Sequence, residues 1–210
     1  MSFEYLLSTL PPIETDPPLL PDIAGEVLFA RIEEEGGNLA KLSRELFLTF
    51  DILCLEDISR NLKIHEPVVF RRDELERKDN LPYWLELALE GLSAKQEGYP
   101  FEKVWHSYFN ELVDRSLDWD KGFFADWLDF DNKMRNGVEA IRLGQRGAGQ
   151  EVWREAYEDE DPFKLDRVLL KQRLNWLNDA APRYTFDENE VLGYVLKYIT
   201  LHQGRYLLNG

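Results

Sequence analysis

The sequence predicts an all-α fold, a multi-helix bundle of seven or eight helices with at most one short N-terminal strand. Apolar residues recur three and four positions apart through most of the 210 residues, the period of a helix with one buried face. Prolines and most glycines fall between these periodic stretches, as helix stops and starts do. Hydrophobic residues make up 44% of the chain and charged residues 31%, which is enough apolar material for a real core and too much for a disordered chain. A single domain over 1–210 is expected, with a Pro-rich leader at 1–21 and helical halves at 22–98 and 99–210.

Residues 3–10 read as a short strand or an extended arm, because Phe3, Tyr5 and Leu7 roughly alternate with Glu4, Leu6 and Ser8. Pro11, Pro12, Pro17, Pro18 and Pro21 then forbid regular structure and make a stiff connector, read as a packed leader. Asp22 is placed to cap a helix through Ile23, Val27 and Ala30 that stops at Gly36-Gly37. Asn38 can cap the next helix, on which Leu39, Leu42, Leu46, Phe50 and Leu53 share a face; Glu56 to Ile64 continues or restarts it. Pro67 opens a segment containing RRDELERKD, whose mixed charges suit a solvated helix end or loop. Pro82 stands at the start of a helix through Trp84, Leu87 and Leu92, which Gly98 and Pro100 end. Phe101, Val104, Trp105, Tyr108, Leu112 and Leu117 line another helix.

The stretch Phe123–Arg146 is the strongest amphipathic pattern. Phe123, Trp127, Phe130, Met134, Val138 and Ile141 form one stripe, and Gly137 interrupts it at a cost of about 1 kcal/mol relative to alanine, which a close helix approach would explain. Asp129 precedes Lys133, and Asp131 precedes Arg135, by four residues, the favourable order for a helical ion pair. Asp161-Pro162 starts a helix through Leu165, Leu169, Gln172, Trp176 and Leu177 that Pro182 ends. Asp187 with Glu190 makes a capping-box-like start for a last helix through Leu192, Val195, Leu196 and Ile199, apolar on most faces and therefore central.

Little in the chain carries chemistry. The net charge of −15, from 40 acids and 25 bases, opposes nucleic acid and anionic lipid as partners and favours a basic protein surface. No apolar run approaches the roughly 20 residues needed to span a bilayer, and the first residues, MSFEYLLSTLPP, lack the basic start of a signal peptide. One cysteine, Cys54, lies among Ile52, Leu53 and Leu55 and reads as a packing thiol in a reducing compartment. His65, His106 and His202 stand in no metal-ligand spacing and read as structural. Asp118 to Gly122 carries alternating acids but lacks the further oxygen ligands of a calcium loop. Gly144, Gly147 and Gly149 have no strand before them and no Lys-Ser/Thr pair after them, so they are no phosphate cradle. Asp126, Asp129 and Asp131 could do acid–base work, but Lys133 and Arg135 make a solvated, salt-paired face the better account. No catalytic residue, cofactor or metal is assigned, and the chain is read as no enzyme.

Three stretches resemble a bacterial family of unknown function associated with V/A-type ATPases. They are Phe3-Glu4-Tyr5-Leu6-Leu7-Ser8-Thr9-Leu10-Pro11, then Trp127, Phe130, Asp131, Arg135, Asn136, Ala140 and Arg146, and last Asp161–Leu177 followed by Tyr184-Thr185-Phe186 and Val191–Lys197. That family is similar to the all-α, noncatalytic socket of rotary ATPases, their C subunit (the d subunit in eukaryotes), which stands between the rotating shaft and the membrane ring. The Asn136 to Arg142 spacing is reminiscent of the Asn-and-Arg helix of that socket. The resemblance implies a socket-like, noncatalytic cytoplasmic subunit or accessory factor. It would dock to the central stalk and membrane ring of a V/A-type ion-translocating ATPase, peripheral to the inner membrane through those proteins. Trp127, Phe130, Arg135, Asn136, Tyr194 and Lys197 are the structural or partner-binding residues it points to. The competing readings are an acidic helical adaptor with no ATPase link and a metal-dependent enzyme built on scattered carboxylates.

Overall fold

In a computed structural model, residues 3–90, 101–118, 122–145 and 150–208 are described, and among them every regular element is a helix. The helices group into two compact units, Ile23–Asp120 and, discontinuously, Ser2–Asp22 with Lys121–Gly210. The expected division at 98–99 does not coincide with this one. The helix that follows residue 100 belongs with the N-terminal helices, and the leader belongs with the C-terminal ones.

The first unit holds α2 (Gly25–Glu33), α3 (Gly37–Ser59), α4 (Arg72–Arg77), α5 (Tyr83–Glu90) and α6 (Glu102–Asp118). Its axis is α3, on which Leu39, Leu42, Leu46 and Phe50 of the predicted face are buried and Leu53 is half-buried, while Phe47 and Ile52, outside that face, are buried as well. Phe29 of α2 meets Phe47 edge-on with centroids 5.5 Å apart, a favoured aromatic geometry. Trp84 of α5 and Trp105 of α6 both lie about one ring diameter from the buried Tyr108, at 6.0 and 5.9 Å. The helix predicted to begin at Asp22 begins at Gly25 with Ala24 at its cap and no side-chain bond there. It breaks from α3 at Gly36 and Gly37, whose φ values of 69° and 68° suit glycine.

Two acids of α3 fold the following chain back onto it. Asp51 is fully buried, and its carboxylate accepts the backbone N–H of Phe70 at 2.9 Å, Val69 at 3.1 Å and Val68 at 3.4 Å. Asp57, about one and a half turns on, accepts the N–H groups of Ile64 and His65, each at 2.7 Å. The segment between α3 and α4 has no helix to satisfy its amides, so these carboxylates do. The RRDELERKD stretch becomes α4, largely exposed and laced by Arg77 with Asp73 at 3.0 Å and Asp79 at 2.7 Å. Burial pushes the Asp51 carboxyl up to about 6, against the pull of the three N–H donors.

The second unit holds α1 (Phe3–Thr9), α7 (Phe123–Arg142), α8 (Glu151–Tyr157), α9 (Lys164–Ala180), α10 (Glu188–Gln203) and α11 (Arg205–Leu208). The expected N-terminal strand is replaced by α1. Leu6 and Leu10, one turn apart, are both buried while Tyr5 is exposed, so a 3.6 period and not a period of two satisfies the segment. The short helices α1, α4, α8 and α11, none longer than seven residues, bring the number of helices above the seven or eight expected. They are too brief for periodicity to reveal. Apolar on most faces, α10 buries Val191, Leu192, Val195, Leu196, Tyr198 and Ile199, which is the central position expected of it. Asp187 caps it, accepting the Glu190 N–H at 3.0 Å. The leader is packed, with Ile13 against a cluster of Leu170, Leu174 and Leu201.

Gly137 is explained by α8. A β-carbon there would stand 2.2 Å from the Trp153 ring, whose indole N–H donates to Gln172 of α9 at 2.7 Å. Met134, Ala156, Leu165 and Leu169 close the same cluster, joining α7, α8 and α9. Residues 119–121 of the acidic Asp118–Gly122 stretch, together with Gly98, Pro100, Arg146, Gly147 and Gly149, lie outside the described residues.

Two outcomes follow. Gly137→Ala destabilises the second unit, since roughly 1–3 kcal/mol of overpacking exceeds the ~1 kcal/mol of helix propensity gained. In a Trp153→Leu background the same substitution is neutral or stabilising, and a denaturation double-mutant cycle reads the difference. Asp51 holds a proton in the folded state up to about pH 6 and in the unfolded chain only up to about 3.9. Its contribution is therefore complete below the lower value and is lost as pH rises through 6, an amplitude of up to about 3 kcal/mol. Asp51→Asn removes that slope from the pH dependence of amide exchange along α3.

Candidate functional site

The six residues that the sequence points to are distributed over two places in the second unit. Trp127 is buried and Phe130 half-buried on the inner face of α7. There they meet Trp176 of α9, with centroids 5.5 and 5.1 Å away, and Phe123 completes the group at 5.9 Å from the same indole. Four rings from two helices thus form one cluster, Phe123 and Phe130 stacked on Trp176 and Trp127 tilted against it, which the shared stripe on α7 and the Trp176 position on α9 both anticipate. These residues hold the two helices together.

Beside the cluster lies Asp131, only 6% exposed. Arg135, one turn along α7, reaches it at 2.5 Å, and Arg173 of α9 reaches its other oxygen at 2.8 Å. The expectation that Asp131 and Arg135 form a solvated pair is corrected here. The carboxylate is interior because a second guanidinium, 42 residues away, covers the side that would otherwise face water. Burial pushes the carboxyl up, but the two guanidiniums overcome that and hold it below its ordinary value. Asp129 and Lys133 do form an exposed pair, at 2.5 Å. Asn136 is exposed on the outer face of α7, next to exposed Lys133 and Glu139.

Tyr194 and Lys197 lie in a different place, together in a cleft of about 540 Å³ bounded by the leader, the end of α9, and α10. Its walls are tied by long-range polar bonds. Tyr194 donates its hydroxyl proton to the Pro11 carbonyl at 2.8 Å, and Asn178 donates its amide to the Thr15 hydroxyl at 2.7 Å. Pro12 and Ile13 on one side and Ala181 and Pro182 on the other give the cleft its apolar surface. Glu190 also lines it, with both carboxylate oxygens engaged, one accepting the Tyr184 N–H at 2.9 Å and the other the Phe186 N–H at 2.8 Å. Those two N–H groups belong to residues with φ of 59° and 53°, a left-handed conformation uncommon for aromatic residues. Arg183, whose guanidinium donates to the Asn178 carbonyl, also lines the cleft. Burial, and then the Arg183 charge, hold the Lys197 ammonium below its ordinary value.

The other chemistry-bearing residues stay apart. Cys54 is buried, and burial pushes its thiol up to about 11, so it is a packing group and a poor nucleophile. His106 is exposed on α6, while His65 sits in the Asp57 turn, its Nδ1 3.3 Å from the carboxylate. His202 packs on the Tyr198 ring, and burial together with Arg205 lowers it to about 4. Among the described residues no group of three or more His, Cys, Asp or Glu side chains could hold a metal ion, and no helix is long and apolar enough to cross a membrane. No family profile, curated protein or solved structure matches the chain.

Sequence reasoning pairs Tyr194 and Lys197 by their helix and misses their neighbours. Arg183, Asn178 and Thr15 come from a loop, another helix and the leader, and no spacing rule joins them. Asp131→Ala strands two guanidiniums at the α7–α9 contact and costs about 3 kcal/mol. Thermal unfolding checks this, and Asp129→Ala, on the exposed pair, leaves the midpoint within roughly 1 °C.

Proposed function

We propose that this chain acts by protein–protein docking, as a noncatalytic helical subunit or accessory factor of a V/A-type ion-translocating ATPase. Its partners would be the central stalk and the membrane ring, and it would work on the cytoplasmic side, meeting the inner membrane through them. The observation that carries this reading is where the family-like residues fall. Trp127, Phe130 and Arg135, which bear the resemblance on α7, form the stacked and ion-paired contact with α9. The resemblance is therefore one of scaffold, and an architecture like that of the rotary ATPase socket is part of the proposal. A part that transmits force needs helices that do not slide, and interlocked rings with a doubly paired interior carboxylate resist sliding.

The outer face of α7 is then the surface offered to a partner. Asn136 is exposed there among charges of both signs, and a side-chain amide can both donate to and accept from another chain's backbone. An acidic chain, at −15, would approach a basic partner surface under attraction that salt weakens.

Capture of the tagged chain from its native membranes, solubilised in mild detergent, tests the reading. Central-stalk and ring proteins are expected in the eluate, less of them as salt is raised. Asn136→Asp should cut recovery about tenfold, the effect of ~1.4 kcal/mol at an interface, with no fall in melting temperature. Recovery of no rotary ATPase component with the unmodified chain overturns the proposal.

A further inference from the structure

The cleft between the leader, α9 and α10 contains an electrostatic arrangement that the docking reading does not use. Lys197 and Arg183 line the same space. Lys197 is half-buried, and among the described residues no carboxylate stands against it, the charge that acts on it being Arg183. In a chain with 40 acids and 25 bases, two cations lining one cleft, the charge of one acting on the other, are an unfavourable placement. Among the described residues lining the cleft, Glu190 is the only acid, and its oxygens are already engaged by the Tyr184 and Phe186 N–H groups. The ammonium keeps three donors, and the Thr15 hydroxyl, having accepted the Asn178 amide, still has its own proton to give.

The rest of the cleft suits a body attached to an anionic group. Its volume, about 540 Å³, lies in the range of small-molecule sites. Pro12, Ile13, Ala181 and Pro182 supply apolar walls whose shape is fixed by two prolines and by the Tyr194–Pro11 and Asn178–Thr15 bonds. At the rim, Tyr184 is 85% exposed and held in a left-handed backbone conformation, the kind of local strain that collects at binding sites.

We propose that this cleft binds a small organic anion, its phosphate or carboxylate group on Lys197 and Arg183 and its apolar body against Pro12, Ile13, Ala181 and Pro182. Anionic charge between the two cations converts their repulsion into a pair of charge-assisted contacts. The site does not depend on the docking partner, so its test and that of the docking reading fail separately.

Competitive acylation of the intact chain with acetic anhydride at pH 8, read lysine by lysine by mass spectrometry, addresses Lys197 directly. A depressed ammonium makes Lys197 react faster than the exposed Lys133. Phenyl phosphate and benzoate are the probes, for the phosphate and carboxylate arms, with inorganic phosphate and sodium chloride at equal ionic strength as controls. At about 5 mM probe and a millimolar affinity, Lys197 labelling falls roughly fivefold in at least one arm while Lys133 is unchanged. The same probe raises the melting temperature by about 3 °C. Lys197→Met, which keeps the apolar stem, melts no lower than the parent without probe and loses the probe-dependent rise; Arg183→Gln reduces it. Lys197 labelling unaffected by either probe, equal protection by sodium chloride, or a full rise retained in Lys197→Met would each overturn the proposal. Protection by inorganic phosphate equal to that by both probes would also overturn it, by showing that the apolar walls contribute nothing.

Discussion

A carboxylate removed from water must be met by donors or lose its charge, and this constraint shapes both units of the chain. Asp131 is the strongest case. It lies inside the α7–α9 contact beside four clustered rings, and it stays ionised because Arg135 and Arg173 approach it from two helices. Each guanidinium meets a different oxygen, so removing either leaves that oxygen without its charged partner. The pair consequently registers α7 against α9, because sliding either helix by a turn would separate charge from counter-charge. Asp51 and Asp57 solve the same problem with backbone amides and so shape a loop that has no regular structure of its own. With one guanidinium pair and two sets of amides, three buried acids part company: Asp51 is raised, whereas Asp57 and Asp131 are lowered. Burial raises both Asp51 and Asp57; it prevails at Asp51, while at Asp57 the His65 and Ile64 N–H donors outweigh it and leave the carboxyl lowered.

The helical character of the chain and the buried face of each long helix are legible in the sequence. For α3, α7 and α10 the spacing of leucine and aromatic residues alone names the interior positions, because a long helix repeats its burial pattern several times. Where the pattern has only one repeat, it misleads. Phe3 to Leu10 has room for either period, and only the burial of Leu6 and Leu10 against the rest of its unit decides for a helix. Asp131 is misjudged from sequence because its local partner, Arg135, is visible four residues on while Arg173 is not. Gly137 is the opposite case. A glycine inside a strong helix signals a close approach, and Trp153 supplies it, although no feature of the sequence says which residue would fill the space. The cleft is the least legible part, since its charged and polar walls come from three separate stretches and only Glu190, Tyr194 and Lys197 share a helix.

Aromatic content serves two purposes here. In α7 and α9 it gives the second unit rigid internal contacts, and the outward faces of those helices remain polar. Near α10, Tyr184 and Phe186 are exposed on a tight loop held by the Glu190 carboxylate. Removing those bonds would free two residues that otherwise disfavour their backbone conformation, so Glu190 sets the shape of the cleft mouth.

The tie between Tyr194 and Pro11 spans 183 residues of chain. It makes the second unit discontinuous, with the whole of the first unit inserted between its two parts. A chain emerging from the ribosome can therefore complete the first unit while the leader still has nothing to pack against. Loop closure over such a span is entropically slow unless the intervening segment has already collapsed. If the inserted unit is already collapsed, the effective loop that the leader must close to meet α10 is shorter. Because α1 is made before α10, the helix it packs against, it cannot find its place until the rest of its unit has been made.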